Sequence, residues 1–199
     1  MKKLFFLLLA VPFTGKAQTK PVILPAEVQI KIAVLAAPEE LRDSAAVLGY
    51  DPAGNLVELR KGTNGFICLA PDYKTPKFYA AHCYPETLEP FMKRGRELIA
   101  EGKRSERDEI RGKEHAGGTL YIPHQPSTLY VYWGSLEKLD RQTGEMSDGK
   151  RRYVIYVPFA KAKDLGLSNQ PNPFGMPWLM NEGTYKAHIM ITPPFDHEH

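Results

Sequence analysis

The 199-residue sequence contains only two cysteines and two tryptophans, and it has little excess charge of either sign. Its formal net charge is +3, but Lys2, Lys3 and Lys16 lie in an N-terminal segment that we expect to be removed. Without these three, 23 of the 26 basic residues remain, matching the 23 acidic residues. Because nucleic acids and anionic membranes are bound by a basic excess on one face, the composition argues against both as partners.

The sequence also lacks the short motifs of common enzyme classes. It has no Walker A loop, no G-x-G-x-x-G, no H-E-x-x-H and no G-x-S-x-G. Catalytic triads are assembled from distant positions, so a hydrolase remains an alternative. The serines and histidines that could be combined in such a site are Ser127, Ser135, Ser147, Ser168, His82, His115, His124 and His188. Their spacing selects no pair.

Long hydrophobic runs are absent beyond the N-terminus. Residues 1–17 have the pattern of a secretory signal, with a basic start, an apolar stretch over 4–13 and a small-x-small site ending at Ala17. The apolar stretch is about half of the roughly 20 residues that a spanning helix needs. We therefore expect cleavage after Ala17, no transmembrane segment afterwards, and a periplasmic or secreted protein, with an uncleaved N-terminal anchor as the alternative.

The two cysteines, Cys68 and Cys83, lie beyond this predicted cleavage site. In an oxidising compartment we expect them to form a disulfide, with two separate buried thiols as the alternative. Their spacing excludes a C-x-x-C redox motif. The length and the 43% hydrophobic content predict one globular domain over 27–194, with an extended lead-in at 18–26 and a flexible tail at 195–199.

The hydrophobic pattern predicts an α+β fold with an antiparallel sheet, one main amphipathic helix packed on it and one disulfide. The helix is predicted over 87–102 with Thr87 as N-cap, followed by a charged, solvated extension to Glu114. A short helix is predicted over 38–45, and 27–37 fits either a strand or a helix. The predicted strands are 46–50 and 56–60 as a hairpin, then 66–69, 78–83, 119–122, 128–133, 152–157 and 187–192.

Two patches together resemble a group of uncharacterised exported bacterial proteins. The first is Leu59-Arg60-x-Gly62-Thr63-Asn64-Gly65-Phe66-x-Cys68 with Cys83 downstream, and the second is the terminal His188-Ile189-Met190-Ile191. The resemblance implies export and a shared fold. It implies no particular activity.

Two patterns suggest a ligand-binding surface. Trp178, Asn181 and Glu182 lie in one loop-like segment, and an aromatic face with a few polar groups is typical of recognition sites. Arg60 could bind a carboxylate or phosphate, helped by the turn around Asn64. The alternatives are a Trp178 that anchors its loop, an Arg60 paired with a neighbouring acid and an Asn64 that adopts a left-handed turn conformation.

His188 and Met190 form a candidate metal site because residues two apart on a strand face the same side. Met176 and Met180 are near in sequence, and thioether with imidazole is a ligand set suited to Cu(I). The alternative is core packing for Met190 and a hydrogen-bonded imidazole for His188. The sequence identifies no other cofactor.

The resulting hypothesis is an exported, non-catalytic binding or envelope-associated protein whose partner is a small molecule or an envelope component. A secreted hydrolase and a periplasmic copper-binding protein are the alternatives. An exposed aromatic surface around Trp178 or Tyr185 would fit the first hypothesis.

Overall fold

A computed structural model describes residues 21–194 of the chain. The predicted signal segment 1–17 and the predicted tail 195–199 lie outside these residues. The helices are α1 (Ala26–Val34), α2 (Glu89–Ala100), α3 (Arg107–Ala116) and α4 (Ala162–Leu165), with single 3₁₀ turns at Glu39–Leu41, Glu86–Leu88 and Leu136–Lys138. The strands are β1 (Ala46–Tyr50), β2 (Leu56–Arg60), β3 (Phe66–Leu69), β4 (Tyr79–Pro85), β5 (Ser127–Gly134), β6 (Lys150–Tyr156), β7 (Trp178–Met180) and β8 (His188–Ile191).

The eight strands form one sheet in the order β2-β1-β3-β4-β5-β6-β8-β7. The predicted hairpin is confirmed as the antiparallel pair β1–β2. Strand β3 pairs with β1 in parallel, whereas the other pairings are antiparallel. The α+β class is therefore confirmed, with a mixed rather than purely antiparallel sheet.

The predicted disulfide is also confirmed. Cys68 on β3 and Cys83 on β4 are directly opposite each other in the strand register, and both are fully buried. The bridge is formed between them. It therefore joins two central strands across the connection that carries Pro71 and Pro76.

Each face of the sheet is covered by a different helix, because successive side chains of a strand point to opposite faces. On β4, Tyr79, Ala81 and Cys83 join the core cluster that includes α1. Ala80 and Tyr84 join a second cluster with Leu88 and Phe91 at the start of α2. We call these the α1 face and the α2 face. The predicted main helix thus packs on one face, and α1 covers part of the other.

The ambiguous segment 27–37 is helical in its first part, although its alternation favoured a strand. Val28, Ile32 and Ala33 are buried at helical spacing, and Ile30 and Val34 also pack against the core. Apolar residues lie on most sides of this short helix. The same sequence therefore fits both the alternation of a strand and the periodicity of a helix. The short helix predicted over 38–45 is reduced to the 3₁₀ turn Glu39–Leu41.

The strand predicted over 119–122 is wrong. Leu120 and Ile122 are buried on the α2 face, but the amides of Thr119 and Leu120 donate to the Glu114 carbonyl at the end of α3. These hydrogen bonds end helix α3. Residues 119–122 pair with no strand of the described chain. The apolar residues of this segment serve the core without sheet pairing.

Three further expectations are corrected. Thr87 lies inside the 3₁₀ turn that precedes α2, and no side chain caps this helix. The charged segment after α2 is a separate helix, α3, and it is not wholly solvated because Arg111 is buried against the Phe91 ring at 3.9 Å. Trp178–Met180 is a strand rather than a loop, since its amides and carbonyls pair with β8.

Candidate functional site

Helix α1 covers only part of its face of the sheet and leaves a surface cavity of about 310 Å³ beside its C-terminal end. The helix packs over β1, β3 and β4, so the same face of β5 and β6 is open at this point. The cavity is lined by Ala36, Ala37, Pro38, Arg42, Tyr130, Arg151 and Tyr153. A volume of this size is within the range of small-molecule sites.

Strand β6 contributes Arg151 and Tyr153, which lie two residues apart and therefore on one face. In the register with β5, Tyr153 is opposite Tyr130 and Arg151 is opposite Tyr132. The Arg151 guanidinium donates one hydrogen bond, from Nη1 to the Leu35 carbonyl at 2.6 Å, and lies 5.1 Å from the Tyr132 ring centroid. The loop after α1 thus holds this side chain at the cavity wall.

Arg42 reaches the cavity from the other side, just after the 3₁₀ turn Glu39–Leu41. Its Nε donates to the Ala37 carbonyl at 3.0 Å. Within residues 21–194, neither Arg42 nor Arg151 forms an ion pair with an acidic side chain. Both guanidinium groups therefore keep donors that no described protein group uses.

Two tyrosines complete the wall of the cavity. The rings of Tyr130 and Tyr153 are 5.8 Å apart in an edge-to-face arrangement. Burial raises the pKa of the Tyr130 phenol, and the nearby Glu40 carboxylate raises it further. Tyr130 therefore stays a neutral hydrogen-bond donor at physiological pH. Guanidinium and phenol donors beside the apolar Ala36, Ala37 and Pro38 form a site suited to an oxyanion on a small organic molecule.

Arg60 and Asn64 lie outside the cavity and hold the backbone around it. Arg60 Nε donates to the Ala45 carbonyl at 3.1 Å, and Arg60 Nη2 donates to the Arg42 carbonyl. Asn64 Nδ2 donates to the Leu41 carbonyl at 2.9 Å. Both side chains thus fix the segment that presents Arg42, and Arg60 bonds carbonyls rather than an acid.

Trp178, Asn181 and Glu182 do not converge on one pocket. Trp178 is partly buried on β7. Asn181 adopts a left-handed conformation with φ 57°, and its carbonyl accepts from Thr184. Glu182 Oε1 accepts from the Ala162 amide at 2.9 Å, at the start of α4. The polar groups of this segment therefore hold local turns.

His188 and Met190 are adjacent on the α2 face of β8. The register places Met180 opposite His188 and Trp178 opposite Met190. His188 Nδ1 is 2.7 Å from the Lys186 carbonyl, and its ring centroid is 5.4 Å from that of Tyr156. Burial lowers the pKa of the His188 imidazole. The side chain is thus neutral at physiological pH and fixed in orientation.

Three of the four serines suggested for a hydrolase have other partners. The Ser127 and Ser168 hydroxyls donate to the carbonyls of Gln125 and Gln170, and Ser135 donates to Asp148 Oδ2 at 2.6 Å. Among the described residues there is no Ser–His hydrogen bond. Likewise, no three histidine, cysteine or acidic side chains converge as a metal site in this part of the chain.

No family model, curated protein or solved structure matches the chain. The resemblance to exported bacterial proteins therefore stays a prediction. Across residues 21–194, no helix is both long enough and apolar enough to cross a membrane.

The residues of the cavity were missed by sequence reasoning. Arg151 precedes the predicted strand 152–157, and Arg42 lies in a predicted short helix. One signal was present in the sequence: Arg151 and Tyr153 are two residues apart, so a strand places this cation and this aromatic side chain on the same face. The sequence does not show that α1 ends before it covers this part of the sheet.

Proposed function

We propose that this protein is an exported, non-catalytic binding protein that takes a small carboxylate-bearing molecule in the cavity beside α1. The observation that carries the proposal is that Arg42 and Arg151, two guanidinium groups without acidic partners in the described chain, line one cavity. Guanidinium groups recognise carboxylates through paired, charge-assisted hydrogen bonds. A bound carboxylate would supply the partner that the fold leaves out.

The charges around the cavity favour a monoanion. Arg42 and Arg151 contribute two positive charges, and Glu40 near Tyr130 contributes one negative charge. The balance is one positive charge, which a single carboxylate neutralises. A phosphate dianion would meet the Glu40 carboxylate without a compensating third cation, so we expect it to bind less tightly.

The other residues of the cavity wall determine which organic part of the ligand fits. Ala36, Ala37 and Pro38 offer apolar contact, while Tyr130 and Tyr153 offer ring edges and phenol donors. A compact organic acid with an apolar part fits these surfaces better than inorganic ions. The disulfide between Cys68 and Cys83 supports the exported location, since such bonds persist in oxidising compartments.

The test is calorimetric titration of the oxidised protein with a panel of small aliphatic, aromatic and hydroxy acids, with inorganic phosphate and neutral sugars for comparison. Arg151→Gln is expected to weaken binding of the best acid about tenfold or more, as loss of a charge-assisted pair does. Arg152→Gln is the matched control. Arg152 is the next residue of β6, faces the opposite side of the sheet and donates to Thr192 Oγ1.

Tyr153→Phe removes one phenol donor and keeps the ring, so we expect a smaller loss of affinity than for Arg151→Gln. The proposal is refuted if no acid binds saturably. Equal weakening by Arg151→Gln and Arg152→Gln would also refute it, because the effect would then come from general charge or stability. Tighter binding of neutral sugars than of acids would assign the cavity to another ligand class.

A further inference from the structure

A second cluster lies at the β7 edge of the sheet, on the opposite face from the cavity. Strands β7 and β8 place Met180 opposite His188 and Trp178 opposite Met190. Directly opposite residues have Cβ atoms about 4.5–5.5 Å apart, and residues two apart on one strand share a face. Two thioethers, an imidazole and an indole are therefore grouped on one small area of the α2 face.

The imidazole of His188 is oriented as in metal-binding histidines. Because a carbonyl oxygen only accepts hydrogen bonds, the 2.7 Å contact with the Lys186 carbonyl makes Nδ1 the protonated nitrogen. Nε2 then carries the lone pair, and no described side chain or backbone group donates to it. A backbone carbonyl that fixes the tautomer and leaves the other nitrogen available is a common second contact of metal-binding histidines.

The cluster is open to solvent at Met180, whereas Ser168 forms a bridge with Trp178 along the outer edge of β7. Strand β7 is the last strand of the sheet, and Met180 is 40% exposed. Met190, by contrast, is partly buried against the core of the α2 face. An ion could therefore approach past Met180 and be held from below by Met190 and His188.

The nearest described cations are engaged with other groups, although Lys186 still disfavours positive charge at His188. Lys186 is two residues before His188, but its ammonium forms an ion pair with Asp108 at 2.5 Å. Arg152, also on this face, is engaged with Thr192 and lies 4.9 Å from the Trp133 ring centroid. No carboxylate is part of the cluster, which distinguishes it from sites for Mg²⁺, Ca²⁺ or Mn²⁺.

We propose that Met180, His188 and Met190 bind one Cu(I) ion, with Trp178 beside it. Thioether sulfur and neutral imidazole are ligands that suit Cu(I). A Trp178 ring next to the ion adds a cation–π contact. The proposal does not depend on the cavity beside α1, because the two sites share no residue and lie on opposite faces.

The test is an anaerobic titration of the oxidised protein from Gln18 onward with Cu(I) supplied as its acetonitrile complex, in competition with a chromogenic Cu(I) chelator. This complex supplies copper as Cu(I) without a thiol reductant, so the disulfide stays intact. We expect one ion per chain. Met180→Leu and His188→Gln should each lower the affinity about tenfold or more, whereas Met176→Leu and His124→Gln should not. Met180 is exposed, so its substitution preserves the fold.

Fluorescence gives an independent readout because the chain has only two tryptophans. Cu(I) should quench the emission of the wild type and of Trp133→Phe, and the quenching should be lost in Trp178→Phe. The same titrations are repeated with His197 and His199 replaced by alanine, which removes binding by the terminal histidines.

Three results would overturn the proposal. The first is the absence of one-to-one Cu(I) binding in the variant with His197 and His199 replaced by alanine. The second is an unchanged affinity in both Met180→Leu and His188→Gln. The third is binding of Zn²⁺ that is as tight as that of Cu(I), because the site would then not prefer soft ions. Ligand binding in the cavity beside α1 is unaffected by any of these outcomes.

Discussion

Replacement of His82 should remove much of the acid sensitivity of this fold. His82 is on β4, faces α2, and is opposite Leu69 on one side and Val131 on the other. Burial is the main cause that lowers the pKa of its imidazole from 6.5 to about 4. A hydrogen bond with the Ala80 backbone opposes this shift, and the Arg96 cation adds to it. The folded protein therefore keeps this group neutral.

The sign of the pH effect follows from proton binding. Between pH 6.5 and about 4 the unfolded chain binds a proton at His82 and the folded chain does not. Falling pH thus favours unfolding across this window. At about 1.4 kcal/mol for each pKa unit, the loss of unfolding free energy has a ceiling of roughly 3 kcal/mol. The lowered pKa of His188 acts in the same direction.

The assay is urea unfolding at pH 7 and pH 4.5 for the wild type, His82→Gln and His124→Gln. The wild type and His124→Gln, whose side chain is exposed, should lose about 2 kcal/mol or more on acidification. His82→Gln should lose clearly less. Measurements stay above pH 4 because Asp108, whose pKa is lowered by its bonds to Lys186 and two arginines, affects stability below that pH. An equal loss in all three proteins would refute the reasoning.

Two further substitutions test how α1 is attached. Gln29 is 2% exposed and forms three hydrogen bonds, two donated to the Leu24 and Tyr50 carbonyls and one accepted from the Tyr50 amide. Gln29→Leu should lower the free energy of unfolding, measured with denaturant, by about 2–4 kcal/mol. A decrease of less than about 1 kcal/mol would contradict this role. Gly144 has φ 84°, and a Cβ there would lie 2.9 Å from the Ile32 amide nitrogen, whereas Gly102 has φ 78° and open space. Gly144→Ala should therefore lower the melting temperature more than Gly102→Ala, and equal shifts would show that only the backbone conformation matters.

Sequence reasoning found the elements whose pattern is local. The hairpin was visible because two apolar runs flank a turn with Pro52 and Gly54, and the disulfide because Cys68 and Cys83 follow a predicted export signal. The segment 119–122 was misassigned because Leu120 and Ile122 are buried against Phe91 of α2 and residues of β4, β5 and β6. Their burial therefore depends on distant parts of the chain and not on strand pairing. Strand β7 was missed because three residues among prolines carry no periodic signal.

The candidate sites differ in the same way. His188 and Met190 could be paired from sequence, as they share one strand. The contribution of Met180 depends on the register of β7 against β8, which the sequence does not specify. The cavity was harder still to predict, because Arg42 and Arg151 are far apart in the sequence. They line one cavity only because α1 ends before it covers this part of the sheet.

The alternation along β6 has a consequence for how the two faces can change. Arg151 and Tyr153 belong to the cavity, while Arg152 and Val154 belong to the α2 face. Point substitutions can therefore alter one face and leave the other intact. Insertion or deletion of a single residue within β6 would reverse every side chain beyond it. Length changes in this strand would thus be far less tolerated in descendants of this chain than substitutions.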